Sequence, residues 1–183
     1  MKCYCGREAF YYQKSSGEYL CKKHLIKRLE RKVAKEASSL GLLRCEEITI
    51  TKNEYNFREA ILVYNSLKSR AKRRSCPEPK LVEGKGDLTP LSAEKVLYLL
   101  LKAFYLGEVS EFLHPKEAGN PAYVILPRDL AAYSYAIGLR EVPKPFGEGP
   151  LWDVAVKIAT EQPTETYSSF KLIDEVIKFW KAP

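Results

Sequence analysis

Three cysteines and one histidine near the N-terminus have the types and the spacing that indicate chemistry. Cys3, Cys5, Cys21 and His24 form the pattern Cys-x-Cys-x15-Cys-x2-His. Thiolate and imidazole are ligands that Zn²⁺ prefers, and four of them close a tetrahedral structural site. The pattern therefore predicts a structural Zn²⁺ held by these four residues. Because such a site keeps no open coordination position, the pattern predicts no catalytic residue within it.

The residues between the two ligand pairs read as a β-hairpin. Residues 9–13 and 18–20 are rich in aromatic residues, and the turn residues Ser15, Ser16 and Gly17 separate them. Short aromatic runs around a glycine-containing turn are typical of paired strands. The first 24 residues are therefore predicted to fold as a small knuckle in which a metal replaces a hydrophobic core.

A basic helix is predicted directly after the knuckle, over residues 22–40. Leu25, Leu29, Val33 and Ala37 recur every four residues, which places them on one inward face. His24 in the first turn would let the metal fix where this helix starts. The remaining positions carry seven cations that could contact phosphates, namely Lys22, Lys23, Lys27, Arg28, Arg31, Lys32 and Lys35.

The basic residues are concentrated in one half of the chain. The 183 residues carry a formal charge of +7, but residues 1–80 contain 19 Lys and Arg against 9 Asp and Glu, whereas residues 81–183 contain 11 against 14. A second basic cluster follows the predicted helix 57–70 and comprises Lys68, Arg70, Lys72, Arg73 and Arg74. Such asymmetry indicates a polyanionic partner, nucleic acid first. A solvated surface on a heat-tolerant protein is the alternative.

The rest of the chain alternates predicted strands and helices. Alternation of this kind favours an α/β domain with a mostly parallel sheet. We therefore predict a boundary between residues 1–43, the knuckle with its basic helix, and residues 44–183, the α/β domain. The predicted strands are 47–51, 80–82, 122–126 and 139–142, and the predicted helices are 57–70, 93–106, 129–137, 152–160 and 166–180.

Several residues leave alternatives open. The helix around 96–106 is apolar almost all round, which suits either a central core helix or a subunit interface. Tyr11, Tyr12 and Tyr19 could stack on an exposed base or pack within the knuckle. The chain has no apolar run long enough to span a membrane and nothing like a secretion signal, so we expect a cytoplasmic protein. In that compartment Cys45 and Cys76 would be left over as free thiols.

The N-terminal sequence resembles that of a known family. Cys-Tyr-Cys-Gly-Arg-Glu-Ala, then Ser-Ser-Gly-Glu-Tyr-Leu-Cys-Lys-Lys-His, then a basic helix is similar to the tRNA 2-thiouridine synthetases. These TtuA-like and cytosolic thiouridylase proteins are PP-loop ATP pyrophosphatases. The segments 126–139 and 162–173 are similar to later parts of the family. The resemblance implies an adenine nucleotide alpha hydrolase-like fold and contact with tRNA.

Departures from the family pattern decide the predicted function. The Ser-Gly-Gly-Lys-Asp-Ser loop would fall at residues 52–57, which read Lys-Asn-Glu-Tyr-Asn-Phe and contain no glycine. The family's Gly-His-Asn-x-Asp-Asp motif would fall near Gly84–Asp87, where the acidic pair is missing. The catalytic Cys-x-x-Cys and the second zinc finger are also absent. We therefore carry over no catalytic and no cofactor-binding residue.

The sequence thus predicts a degenerate, truncated, non-catalytic homologue of tRNA-thiolating PP-loop proteins. It would bind tRNA or other RNA, an active thiolation partner, or both, through the knuckle and the basic N-terminal half. One alternative is a diverged ATP-dependent tRNA-modifying enzyme that still performs 2-thiolation. A second alternative is a zinc-finger DNA-binding regulator, although the chain has no clean recognition helix with paired base readers.

Overall fold

The structure is a computed structural model of the whole chain. It describes residues 1–162, except 44, 110, 111, 113, 114, 116 and 117, and also residues 164, 166, 168 and 170. His114 and most of the predicted helix 166–180 lie outside the described residues. Within them no helix has the length and apolar character needed to cross a membrane. The strands are β1 (Tyr11–Gln13), β2 (Glu18–Leu20), β3 (Thr49–Thr51) and β4 (Lys80–Val82). The helices are α1 (Lys22–Ser39), α2 (Phe57–Arg74), α3 (Ala93–Leu106), α4 (Pro127–Ala136) and α5 (Gly149–Glu161).

The knuckle and the basic helix form as the sequence predicts. Strands β1 and β2 pair antiparallel, with Tyr12 opposite Tyr19, and α1 follows one residue later. The apolar stripe of α1 is buried, and Leu25, Leu29 and Val33 are fully inaccessible. These side chains share one core cluster with β3, α2 and α4. Helix α1 therefore anchors the knuckle to the α/β core.

A small parallel sheet forms the centre of the second part. Strand β3 pairs with β4 in parallel, with Ile50 opposite Leu81, and an isolated parallel bridge joins Ile50 to Leu88. Gly86 is needed beside that bridge, because a Cβ there would lie 2.9 Å from the backbone nitrogen of Thr51. This parallel arrangement confirms the predicted α/β class with an N-terminal metal-binding module.

Two predicted strands are wrong. Residues 121–124 form turns, and the apolar run 122–126 is held by side-chain and backbone bonds instead of a ladder. The Asn120 side chain accepts from the N–H of Ala122, and the carbonyl of Ile125 accepts from the N–H of Ala93. A short apolar run predicts that a segment is buried but does not predict which conformation the segment adopts. Residues 139–142 have no regular structure, and Val142 is 83% exposed.

The cysteines outside the knuckle also differ from expectation. Cys45 and Cys76, predicted to be free thiols, form a disulfide with their Cα atoms 5.1 Å apart. The bond joins the segment before β3 to the segment after α2, across 31 residues. Folding brings these two ends together because β3 and α2 are consecutive packed elements, which the spacing of the cysteines does not reveal. Cys3, Cys5 and Cys21 are the free cysteines of the chain.

Candidate metal centre and nucleic-acid interface

The four predicted ligands meet at one point. The ligand atoms of Cys3, Cys5, Cys21 and His24 all lie within 4.8 Å of one another. The sulfur of Cys3 is 3.2 Å from Nδ1 of His24, and the sulfurs of Cys5 and Cys21 are 3.8 Å apart. Bonds of about 2.0–2.3 Å to a tetrahedral ion would separate its ligands by roughly 3.5 Å. The cluster therefore has the size of a site for a single metal ion.

Local structure explains why the ligands converge. The N–H of Gly6 donates to the carbonyl of Cys3, which closes the turn that carries the first pair. Cys21 stands at the N-cap of α1, and its carbonyl accepts from the N–H of His24. The Cys3 thiol is buried, which opposes ionisation, but backbone bonds from Cys5 and Cys21 and contact with His24 lower its pKa to about 6. A thiol that ionises readily is suited to metal binding.

The knuckle is fastened to the second part by a buried carboxylate. Asp129 on α4 accepts from the Tyr11 hydroxyl at 2.9 Å and from the Gln13 amide at 3.1 Å. Arg28 donates to the side chains of Gln13 and Glu18. Asp129 is only 2% exposed, so these bonds are shielded from water. Tyr11 thus has a packing and anchoring role, whereas Tyr12 is 48% exposed and contacts Tyr19.

The twelve predicted RNA-binding residues divide by exposure. Arg28 is engaged with the hairpin, Arg70 is half-buried, and burial lowers the pKa of Lys32. Lys68 is exposed but forms an ion pair with Glu78 at 2.7 Å. The exposed cations of α1 are Lys22, Lys23, Lys27, Arg31 and Lys35, and those at the end of α2 are Lys72, Arg73 and Arg74.

The loop at residues 52–57 bonds three of its backbone N–H groups to its own side chains. The N–H groups of Tyr55 and Asn56 donate to the side chain of Asn53, whose own N–H donates to the side chain of Asn56. A phosphate loop instead offers such N–H groups to its ligand. The neighbouring cavity of about 450 Å³ is lined by three carboxylates, those of Glu54, Glu83 and Glu141, besides Lys52. The carboxylates at this edge of the sheet therefore oppose the binding of an anion.

Asp87, near the place where the sequence led us to expect the second family motif, has a structural role. Asp87 accepts from both the N–H and the hydroxyl of Thr49, at 2.7 and 2.6 Å. The side-chain bond, with the backbone bond second, lowers the pKa of Asp87. Asp87 therefore holds the segment that contains Leu88, which forms the isolated parallel bridge with Ile50, against β3. Sequence reasoning did not assign it this role.

A second polar cluster lies between α2 and α3, and sequence reasoning missed it. Glu59 and Lys95 form an ion pair in which both side chains are buried. Ser92, the N-cap of α3, directs its hydroxyl at Glu59 and Glu94 and not at the helix backbone. The sequence did contain a signal for this cluster. Glu94 and Lys95 are charged residues on a helix that is otherwise almost entirely apolar.

Comparison with known proteins supports the architecture. The family profile of the 2-thiouridine synthetase TtuA N-terminal LIM domain matches residues 2–26. A solved structure of the U34-tRNA thiolase NcsA from Methanococcus maripaludis with its [4Fe-4S] cluster is similar, with a TM-score of 0.67 and 16% identity. The similarity covers 97% of this chain and 87% of that one. No curated protein sequence matches.

These findings define the chain first as an α/β protein that shares its fold with NcsA and has an N-terminal module with a candidate metal site. They then confirm the particular resemblance that the sequence indicated, to TtuA-like thiouridylases, through the LIM-type residues and the shared fold.

The prediction of Zn²⁺ as the cofactor is wrong on this comparison, because the protein that shares the fold is described with a [4Fe-4S] cluster. Cysteine thiolates hold such clusters, and the three free cysteines of this chain all lie in the knuckle. Their ligand atoms, within 4.8 Å of one another, surround space for one ion. A cube of four irons spreads its ligands further apart, so the arrangement does not fit it.

Proposed function

We propose that this protein is a non-catalytic relative of the tRNA thiolases that binds tRNA through its knuckle and basic N-terminal half. The observation that carries the proposal is the loop at residues 52–57, whose N–H groups bond to its own asparagine side chains. The N–H groups of Tyr55 and Asn56 are therefore not offered to a pyrophosphate, as those of a phosphate-binding loop are. The ATP-dependent alternative would need another phosphate cradle.

The metal site supports the RNA-binding half of the proposal. Cys3, Cys5, Cys21 and His24 would hold one metal ion and so fix the start of α1. The exposed cations of α1 then stand at a set distance from the knuckle, and Lys22, Lys27, Arg31 and Lys35 lie at near-helical spacing. A rigid row of cations can track a phosphate backbone, because each contact releases counterions.

A salt-series binding titration with total tRNA and with duplex DNA of similar length tests the proposal. We expect tight, salt-steep binding to tRNA and weaker binding to the DNA. Arg73→Ala with Arg74→Ala should weaken binding and reduce the salt slope by about 1 per lost contact. The matched control replaces two exposed lysines elsewhere, Lys102→Ala with Lys157→Ala, and should leave the slope unchanged.

Other outcomes point elsewhere. Equal or stronger DNA binding would favour a DNA-binding regulator. No binding to either nucleic acid would refute the RNA-binding role and turn the search toward an active thiolation partner. Pyrophosphate release from ATP in the presence of tRNA would refute the non-catalytic role and revive the diverged enzyme.

A further inference from the structure

A flat aromatic surface borders the start of the basic helix, where the knuckle meets α4. Tyr135, in the last turn of α4, stacks on Phe10 of the knuckle, with ring centroids 5.7 Å apart and ring planes inclined by 13°. Phe10 is half-buried and packs against the central core cluster, whereas Tyr135 is 67% exposed. Phe10 therefore supports the ring of Tyr135 from below and leaves most of that ring open to solvent.

A cation of α1 lies beside the same two rings. The ammonium of Lys22 is 5.2 Å from the centroid of Phe10 and 5.7 Å from that of Tyr135, within the range of a cation–π interaction. An ammonium over the outer face of Tyr135, the face turned away from Phe10, would lie farther from Phe10 than Tyr135 itself does. The 5.2 Å distance therefore places Lys22 on the inner side. In the described part of the chain no other ring or cation contacts Tyr135.

Tyr135 differs in this respect from the tyrosines that the sequence suggested for base stacking. The hydroxyl of Tyr11 donates to Asp129, which holds that ring against α4. Tyr12 and Tyr19 contact each other at 4.8 Å with their planes inclined by 40°, and Tyr19 is half-buried. Tyr135 thus combines an open outer face with a neighbouring cation, which these three tyrosines do not.

The charge around this surface favours an anionic partner. Lys22 is the first residue of α1 and begins the set of exposed cations that continues with Lys23, Lys27, Arg31 and Lys35. Among the described residues none of these five forms an ion pair. An open aromatic ring beside unpaired cations suits a nucleic-acid strand, because the phosphates can contact the cations while a base stacks on the ring.

We propose that the outer face of Tyr135 stacks on one unpaired base of an RNA strand whose phosphates contact Lys22 and the other exposed cations of α1. The inference rests on the proposed function for the presence of RNA at α1, and it adds a contact from the second part of the chain. A base inside a duplex is covered by its neighbours, so the contact selects a loop, a bulge or a strand end. Because every base has such a face, Tyr135 recognises the unpaired state and not the identity of the base.

Titration of the full chain with two single strands of about 12 nucleotides tests this contact. One strand is an oligoadenylate, and the other carries the same phosphates with an abasic spacer in place of each nucleotide. The wild type should bind the oligoadenylate about 5- to 150-fold more tightly, which is the range for one base stacked on an aromatic side chain. Tyr135→Ala should lose most of this preference, whereas Tyr135→Phe keeps the ring and should retain it.

Tyr105→Ala is the matched control. Tyr105 lies on α3 and is 77% exposed, so its replacement also removes an exposed tyrosine from a helix. This variant should keep both the affinity and the preference of the wild type. Circular dichroism and thermal unfolding check that Tyr135→Ala and Tyr105→Ala are folded, which the exposure of both side chains leads us to expect.

The salt dependence separates stacking from charge. Stacking releases no counterion, so Tyr135→Ala should weaken oligoadenylate binding without changing the slope of log affinity against log salt concentration. Lys22→Ala removes one phosphate contact and should reduce that slope by about 0.7, the value for a single strand. If Tyr135 only positioned Lys22, its loss would reduce the slope as well. A blunt RNA duplex of similar length should bind Tyr135→Ala and the wild type equally, because its bases are covered.

Equal affinity of the wild type for the two single strands, or an undiminished preference in Tyr135→Ala, would overturn the proposal. So would a reduced salt slope in Tyr135→Ala, or an equal loss of affinity for the duplex. Salt-steep binding of tRNA alongside any of these results would leave the proposed function standing and remove only this contact. No binding to tRNA, to oligoadenylate or to the duplex would sink the proposed function and this contact together.

Discussion

The knuckle and the buried carboxyl cluster are two polar sites that differ in how far the sequence predicts them. Cys3, Cys5, Cys21 and His24 lie within 22 residues of one another, and the spacing alone predicts their meeting. Glu59 and Glu94 are 35 positions apart and meet only because α2 packs near α3. A site within one short segment can be predicted from the spacing of its residues, whereas a site between two elements depends on how those elements pack. Three measurements test this contrast.

The largest effect is expected from Cys21→Ser. Cys21 is a ligand at the N-cap of α1, where serine is well tolerated. The change therefore removes only the thiolate, which should release the metal and destabilise the chain by about 4 kcal/mol or more. Mass spectrometry of bound metal, which also identifies the ion, and thermal unfolding check this. Tyr4→Ala is the control, because Tyr4 stacks on His24 without being a ligand. Full metal content in Cys21→Ser would contradict the site.

Next comes Lys95→Met, which leaves the Glu59 carboxylate buried without its cation. Breaking a buried pair on one side costs about 3–5 kcal/mol, measured by guanidinium unfolding. Adding Glu59→Leu should recover most of that loss, since the stranded charge is then gone. Lys144→Met removes an exposed pair with Glu54 and should cost about 1 kcal/mol at most. Equal losses for the two lysines would show that burial of the cluster is not maintained in solution.

The smallest effect is a pH dependence from Glu94. Burial, with the charge of Glu59 second, raises the pKa of Glu94 to about 7 from the usual 4.5. The folded chain therefore keeps a proton that the unfolded chain loses between about pH 4.5 and 7. Stability should fall as pH rises through that window, by up to about 1.4 kcal/mol per pH unit.

Glu94→Gln cannot titrate and isolates this contribution. The difference in unfolding free energy between wild type and Glu94→Gln should be largest above pH 7, where the variant should be the more stable of the two. Below about pH 4.5 it should level off. A constant difference across the range would mean that Glu94 is not shifted in the folded chain.

Much of the fold was accessible from the sequence where the signal was local. The apolar stripe of α1, the hairpin and the five helix locations in the described residues follow from periodicity and turn residues. Helix α2 ends four residues later than predicted, where Ser75 adopts a positive φ of 55°. The domain boundary at residue 43 stays a prediction, and α1 shares its core with residues on both sides of it.

The parts that sequence could not determine all depend on contacts between distant residues. The disulfide between Cys45 and Cys76, the Asp129 bonds to the hairpin and the turns at 121–124 require the packed elements first. The spacing of the ligands also could not determine the type of cofactor, because thiolates and imidazole suit several metals.

The sequence alone was enough to predict the knuckle, the basic helix and a loop at 52–57 without glycine, since each is set by residues within a few turns of one another. Only the tertiary structure decided that the loop at 52–57 bonds to itself and that Glu59, Ser92 and Glu94 share one buried cluster. The physical reason is that desolvation acts on whichever polar groups the fold encloses together.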